Sequence, residues 1–505
     1  SNDINLKFNG STLMYFENSD KKTKLQFECS MQSLTKCDFN MKDLDTEEIN
    51  KINILAGNPL ILIKDYFTFE RGNIKDFNVK VAFLNIRNVK SFFAELKFDD
   101  LAFKIPFLEN DGGFEIESGK TIITKQNEEY KSVSNFLLTN QKEITSTIKY
   151  DGVDTAIDIH GKNFDIYDVG YYWPEKYLTQ VKHFLQSSIH EAKTEYVKVH
   201  FFQSLNKPDD LQVKVKFHDA SLYYSPFLPP VLNASGVVTV DTTSNILIDV
   251  ESAIAGNIKA KNAKAIFNVD KNFLYIDTKF SGNTKDLIKF FTDKADVSFL
   301  ENTLNGEASG RFDLGIYIKS TAEETFEASK FVANFDVLDF YTPAIQYKKP
   351  VHMKLTKDYK TNYIKLLAES KESAPLGYMC NAGISAFGFD LFLDLESGIM
   401  NFEDLFLKSD NAEINGEIST NFTRWDFLNF ASFSSVKFCN NDFSLFINPN
   451  ISTAKIKAEK MNLPELAELN LYKNFASQLK SKENKLFLQK IINTYLDINI
   501  KMQNI

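Results

Sequence analysis

From Leu211 to Phe280 the chain alternates apolar and polar positions with a period of two. The segments LQVKVKF, SGVVTV, NILIDVES, GNIKAKNAKAIFNV and FLYIDTKF follow one another with turn residues between them. That period sends successive side chains to opposite faces of a strand, so the stretch predicts a long antiparallel sheet with one apolar face. Val213, Val215 and Phe217 fall on one face of their strand, as do Ile246, Ile248 and Val250, then Ala265, Phe267 and Val269, then Leu274, Ile276 and Phe280. Lys214, Lys216, Asp249 and Asp277 take alternate positions, toward water. Side by side, the apolar rows would line a hydrophobic wall.

The same rhythm runs on both sides of this segment. Toward the N-terminus it predicts strands at Asn5–Phe8, Lys24–Met31, Ile52–Ile54, Leu60–Phe69, Phe77–Ile86, Ser91–Phe98, Phe114–Ile123 and Glu143–Tyr150. Gly57-Asn58-Pro59, Arg71-Gly72-Asn73 and Asp111-Gly112-Gly113 read as turns, and Thr46–Lys51 as a short helix. Leu178, Val181, Leu185 and Ile189 recur at helical spacing, which predicts a helix opened by Tyr172-Trp173-Pro174 and running to about Ala192. Thr284 is placed to cap a second helix from Lys285 to about Lys294. Period-two segments resume from Leu304 to Ile451, and from 461 onward PELAELNLYKNFASQLK and ENKLFLQKIINTYLDINIK predict two amphipathic helices. Such helices cover a sheet edge or dock to a partner or membrane. The organisation is therefore an N-terminal β segment (1–165), a core with a Trp-Pro helix and β repeats (166–345), a further β segment (346–460) and a helical end (461–505).

A β-sandwich also has one apolar face per sheet and buries it in its own core. Some twenty or more strands are too many for one sandwich, and no repeated long linkers separate them, so a continuous sheet is favoured. The predicted fold is mostly β: an elongated, twisted antiparallel sheet curled into an open hydrophobic groove, with a few capping α-helices.

Composition adds little to this and removes some classes. The chain holds 46 Phe against 2 Trp, 12 Pro and 6 His, a bias that an AT-rich genome explains as well as a Phe-lined surface does. A net charge of -9, with no basic run and no aromatic–Arg cluster, argues against nucleic acid as partner. No segment approaches the ~20 apolar residues needed to span a bilayer. The chain opens Ser1-Asn2 without Met, which reads as a tag remnant and leaves room for a signal or membrane anchor removed from the native protein. Cys29 and Cys37 would close a small loop in an oxidising compartment, but two buried free thiols are the expected state.

Candidate chemistry is sparse. IESGKTII resembles the end of a phosphate-binding loop, yet the required first glycine falls on Phe114, and the segment reads as two strands with a turn at Ser118-Gly119. His183 and His190 share a predicted helix face without a third ligand, so no metal site is expected. Asp249, Glu251, Asp390, Asp394 and Glu396 occupy alternate strand positions and read as a solvated face. No nucleophile elbow or Cys/His pair appears, and no carboxylate pair suited to glycan hydrolysis is evident. Neither catalysis nor a cofactor is expected.

The order of parts in the middle of the chain does resemble a known family. Tyr171-Tyr172-Trp173-Pro174, a helix, a strand carrying Val215 to Phe217, then Tyr223 with Phe227-Leu228-Pro229-Pro230, a small-residue turn at Ala234-Ser235-Gly236 and a strand–Gly–strand at Ala255-Gly256 are similar to the AsmA-like proteins of bacterial envelopes, in their YhdP-type branch. The resemblance covers about 165–345. It implies a groove tethered at the inner membrane and reaching through the periplasm, with phospholipid or another acyl-chain lipid as cargo and the residues named above as groove lining. It also leaves room for envelope protein partners. An envelope-assembly scaffold that binds proteins and carries no lipid is the alternative.

Overall fold

The structure is a computed structural model that describes residues 13–17, 24–31, 35–45, 68–85, 88–104, 113–126, 128–172, 179–204, 207–223, 229–242, 245–287, 305–341, 347–361, 363–375, 383–394, 397, 399–421, 428–438, 440–451, 453–460 and 495–500. It is mostly β, with an open sheet that does not close into a barrel. The chain divides into two compact units, one holding 1–221 with 235–248 and the other 222–234 with 249–505.

In the first unit, β1 (Leu13–Glu17), β2 (Lys24–Met31), β3 (Thr35–Asp45), β4 (Thr68–Asn85), β5 (Asn88–Lys104), β6 (Gly113–Gln126), β7 (Glu129–Leu138), β8 (Glu143–Tyr150), β9 (Asp154–Lys162) and β10 (Ile189–Ser204) form a meander, each antiparallel to the one before. Two helices, α1 (Ile166–Tyr171) and α2 (Thr179–Ser188), separate β9 from β10. Asp165 caps α1 reciprocally with Asp168: each backbone N–H donates to the other's carboxylate, at 2.7 and 2.9 Å. Strand β11 (Lys207–Leu222) follows, and the division between units runs through β12 (Val231–Val240) and β13 (Asn245–Ala255).

The second unit repeats the meander. Strands β14 (Ile258–Asn268), β15 (Phe273–Asn283), β16 (Asn305–Tyr317), β17 (Ser329–Tyr341), β18 (Val351–Lys357), β19 (Tyr363–Pro375), β20 (Gly383–Asp394), β21 (Ile399–Ser409), β22 (Ala412–Asn421), β23 (Leu428–Phe438), β24 (Asn441–Asn448) and β25 (Thr453–Lys460) pair in order and antiparallel. Helix α3 (Ala322–Glu327) lies between β16 and β17, and β26 (Tyr495–Ile500) adds parallel to β25.

Bulges interrupt these ladders, and several coincide with an Asp or Asn at positive φ. Asp100, Asn262, Asp339 and Asp404, at φ of 49, 50, 52 and 48°, sit at the register shifts in β4–β5, β14–β15, β16–β17 and β21–β22. The short side chains of Asp and Asn tolerate the left-handed region, and a bulge there adds a residue to one strand and sharpens its local twist.

Several expectations need correction. Arg71-Gly72-Asn73 is no turn: β4 runs through it with a bulge, and Gly72 packs against Leu101, where a Cβ would come within 2.7 Å of its side chain. Ser118-Gly119 likewise lies inside one continuous strand, because Gly119 leaves room for the ring of Phe98. Ala234-Ser235-Gly236 is strand, its small side chains alternating faces within β12. The helix expected to reach Ala192 ends at Ser188, so His190 lies on β10 and does not share a helix face with His183. Tyr495–Ile500 is strand rather than helix, since Leu496, Ile498 and Ile500 alternate with Asp497 and Asn499. Cys37 is disulfide-bonded rather than free, and in backbone register it stands directly across the β2–β3 ladder from Cys29. The Trp173-Pro174 helix start, Phe227 to Leu228, Thr46–Lys51 and residues 461–494 lie outside the described residues.

Candidate functional site

In the second unit, strand register converts period-two alternation into continuous apolar rows. Starting at Phe280 on β15, the residues directly opposite one another are Gly310, Phe335, Met353, Ala368, Phe387, Leu407, Ile414, Val436, Phe443 and Ala458, one from each strand to β25. At ~4.8 Å per strand the row runs roughly 50 Å. No charged residue enters it. A neighbouring row joins Ile364, Leu391, Phe402, Ile418, Ala431 and Ile447.

The exposure of the row is uneven. Ala368 and Ala458 are fully buried, and Met353 and Val436 nearly so, while Phe335, Phe387, Leu407, Ile414 and Phe443 keep part of their surface in water. A sandwich core would cover its large side chains most completely. The opposite face carries charge: Arg311 donates two hydrogen bonds to the Asp277 carboxylate at 2.9 and 2.8 Å, His352 meets Asp336 at 3.0 Å, and Lys330 meets Asp358 at 2.9 Å.

Flaps cover the two ends of the strands. At one end Tyr347 is buried beside Phe340 and Val351, and its phenol donates to the carbonyl of Ile384. Burial pushes that phenol up to about 12. At the other end α3, capped by Thr321 accepting the Glu324 N–H at 3.2 Å, brings Phe326 over Lys357. Lys357 is 2% exposed and donates to the carbonyls of Ser329 and Asp358 at 3.0 and 3.2 Å. Among the described residues no carboxylate lies within hydrogen-bonding distance of it, and burial lowers its pKa to about 8 against the opposing pull of Glu327 and Asp358.

The first unit shows a shorter version. Phe39, Val79, Ala94, Ile123, Ser132, Ile148 and Ile157 oppose one another from β3 to β9, and beside them run Met41, Phe77, Leu96, Thr121, Ser134, Ser146 and Ile159. The Thr121 hydroxyl donates to that of Ser134 at 3.0 Å, so this part of the face carries a satisfied polar strip. At one end the face is covered: Phe164 and Tyr172 pack on Ile116, Leu138 and Phe98, and a Cβ at Gly161 would come within 2.7 Å of the Phe164 ring. An ion pair between Lys142 and Asp168 ties α1 to the β7–β8 turn.

The residues read from sequence distribute over both units. Val213, Val215 and Phe217 on β11 are buried, with Lys216 on the other face paired to Glu195 at 2.7 Å. Ile246 is fully buried, and Ile248 and Val250 are partly exposed on β13, alternating with exposed Leu247, Asp249 and Glu251. Phe267 and Phe280 are buried, and Val269 and Ile276 partly so. Register brings four of these onto one face of the second unit: Phe267 opposes Leu274, which shares its strand face with Ile276 and Phe280. Ile276 in turn opposes Leu314, and Leu314 opposes Phe331. Sequence reasoning did not nominate the row from Phe335 to Ala458, although the same alternation marks each of its strands; what it lacked was register.

No family model and no curated protein matches the chain. Among the described residues no helix is long and apolar enough to cross a membrane, and no three His, Cys, Asp or Glu side chains are grouped to hold a metal ion.

Proposed function

We propose that this chain is a non-enzymatic lipid carrier whose apolar sheet face holds the acyl chains of a phospholipid. The observation that carries the reading is the unbroken row from Phe280 to Ala458, long, apolar and partly wet. A two-chain lipid leaving its bilayer exposes on the order of thirty methylenes at ~0.8 kcal/mol each, roughly 25 kcal/mol, so unaided transfer through water is negligibly slow. A trough of Phe, Leu and Ile side chains removes most of that barrier along its length while the charged face stays in water. The row exceeds the length of one extended acyl chain, which suits movement along it better than a single seat.

The resemblance to AsmA-like envelope proteins belongs to this reading. It extends it to transfer between inner and outer membranes by a periplasmic protein held at the inner membrane by an N-terminal anchor. The disulfide at Cys37 is in keeping with an oxidising compartment.

Native mass spectrometry of protein purified from bacteria, with lipid extraction of the same sample, tests the reading. Co-purifying phospholipid, reduced several-fold when Phe267 is replaced by Asp in a protein that still folds, is the expected result. A lipid-free protein that also takes up no labelled phospholipid would instead indicate the scaffold that binds proteins alone.

A further inference from the structure

At the end of the first unit's apolar face opposite the Phe164–Tyr172 cover, one row carries a cation and two phenols. Phe92, Lys125, Tyr130, Tyr150 and Thr155 stand directly opposite one another from β5 to β9. Lys125 is nearly buried at 9% exposure, its stem flanked by its cross-strand neighbours Phe92 and Tyr130, and its ammonium lies 4.9 Å from the centre of the Tyr130 ring. The Tyr130 and Tyr150 rings are 6.4 Å apart and exposed, and neither phenol has a hydrogen-bond partner in the protein among the described residues. Among the described residues the carboxylate paired with Lys125 is that of Glu128 at 3.8 Å, beyond hydrogen-bonding length and on a side chain that is 89% exposed.

A cation and two unengaged phenols therefore stand at the rim of an apolar face. The neighbouring row, Ile123, Ser132, Ile148 and Ile157, leads inward from them. Aromatic side chains with one apolar and one polar end suit the level at which a lipid's chains meet its headgroup. Lysine is a compact point charge that binds phosphate through several donors.

We propose that Lys125, Tyr130 and Tyr150 form a subsite for the phosphodiester of a glycerophospholipid whose acyl chains lie on the adjoining apolar face. The inference rests on the proposed lipid-carrying function and adds a headgroup preference to it.

The test is uptake by the full chain of two fluorescent lipids with the same acyl chains, phosphatidylglycerol and diacylglycerol, with water-soluble glycerophosphate as a third probe. The wild type should prefer phosphatidylglycerol roughly tenfold, the ratio that one charge-assisted hydrogen bond supplies. Lys125→Gln should abolish that preference, bringing phosphatidylglycerol uptake down to the diacylglycerol level. Tyr130→Phe combined with Tyr150→Phe, which keeps both rings, should lower it several-fold. Equal uptake of both lipids by the wild type, or a preference that survives Lys125→Gln, would overturn the subsite and leave the carrier reading standing. Glycerophosphate held as tightly as the lipid would assign the site to soluble phosphate esters instead. Uptake of neither lipid would sink the carrier reading and the subsite together.

Discussion

Lys357 is an ammonium held under Phe326, satisfied by two backbone carbonyls. With its pKa drawn from 10.5 to about 8, the folded chain holds fewer protons there than the unfolded chain between those values. Stability should therefore rise as pH increases from about 8 toward 10.5. Tyr172 and Tyr347 work in the opposite sense. Burial raises both phenols from 10 to about 12, so their contribution is present below pH 10 and is lost as pH climbs through 12. Urea midpoints measured from pH 7 to 11.5 should pass through a maximum near pH 10, and Lys357→Met should flatten the rising limb. A midpoint that falls steadily from pH 8 would contradict the lowered pKa of the buried ammonium. Tyr347→Phe, which removes only the donor to Ile384, should cost about 1 kcal/mol. Sequence offered no sign that Lys357 is buried, because a lysine at the end of a strand reads as an ordinary amphipathic residue until a flap such as α3 is seen above it.

At the scale of the element, strands bracketed by turn residues were legible to the residue: Lys24–Met31 and Glu143–Tyr150 are β2 and β8 as read. Glycine was the main source of misreading. Gly119 and Gly72 look like punctuation in sequence, yet each is the place where a bulky side chain from the next strand lies against the backbone. The bulges were invisible because Asp and Asn are common on any solvated strand face. Asp404, at φ 48° in the β21–β22 bulge, tests the role given to them. Asp404→Val should destabilise by ~1–2 kcal/mol, since a β-branched residue resists the left-handed region, whereas Asp404→Gly should be near neutral. Chemical denaturation of the two variants checks this, and equal losses in both would remove the conformational argument. Gly119→Val should cost about 1–3 kcal/mol by displacing the Phe98 ring.

At the scale of the molecule, the mostly β fold and the open sheet were legible from rhythm and strand number, because each strand announces its own apolar face. The face as a continuous surface was not. It depends on the register of each pair, and bulges at positions such as Lys261/Lys264 and Phe402/Leu405 shift that register by amounts no local pattern records. Only once register is known do Phe280, Phe335, Phe387, Leu407 and Phe443, far apart in sequence, become one row.

Photo-crosslinking addresses that row most directly. A benzophenone amino acid is placed singly at Phe335, Phe387, Leu407 and Phe443, and at Asn334, Lys354 and Lys408 on the other face, in cells fed labelled phospholipid precursor. The account predicts lipid adducts from the first four positions and none from the other three. Adducts from both faces alike, or protein adducts alone from the row, would contradict it.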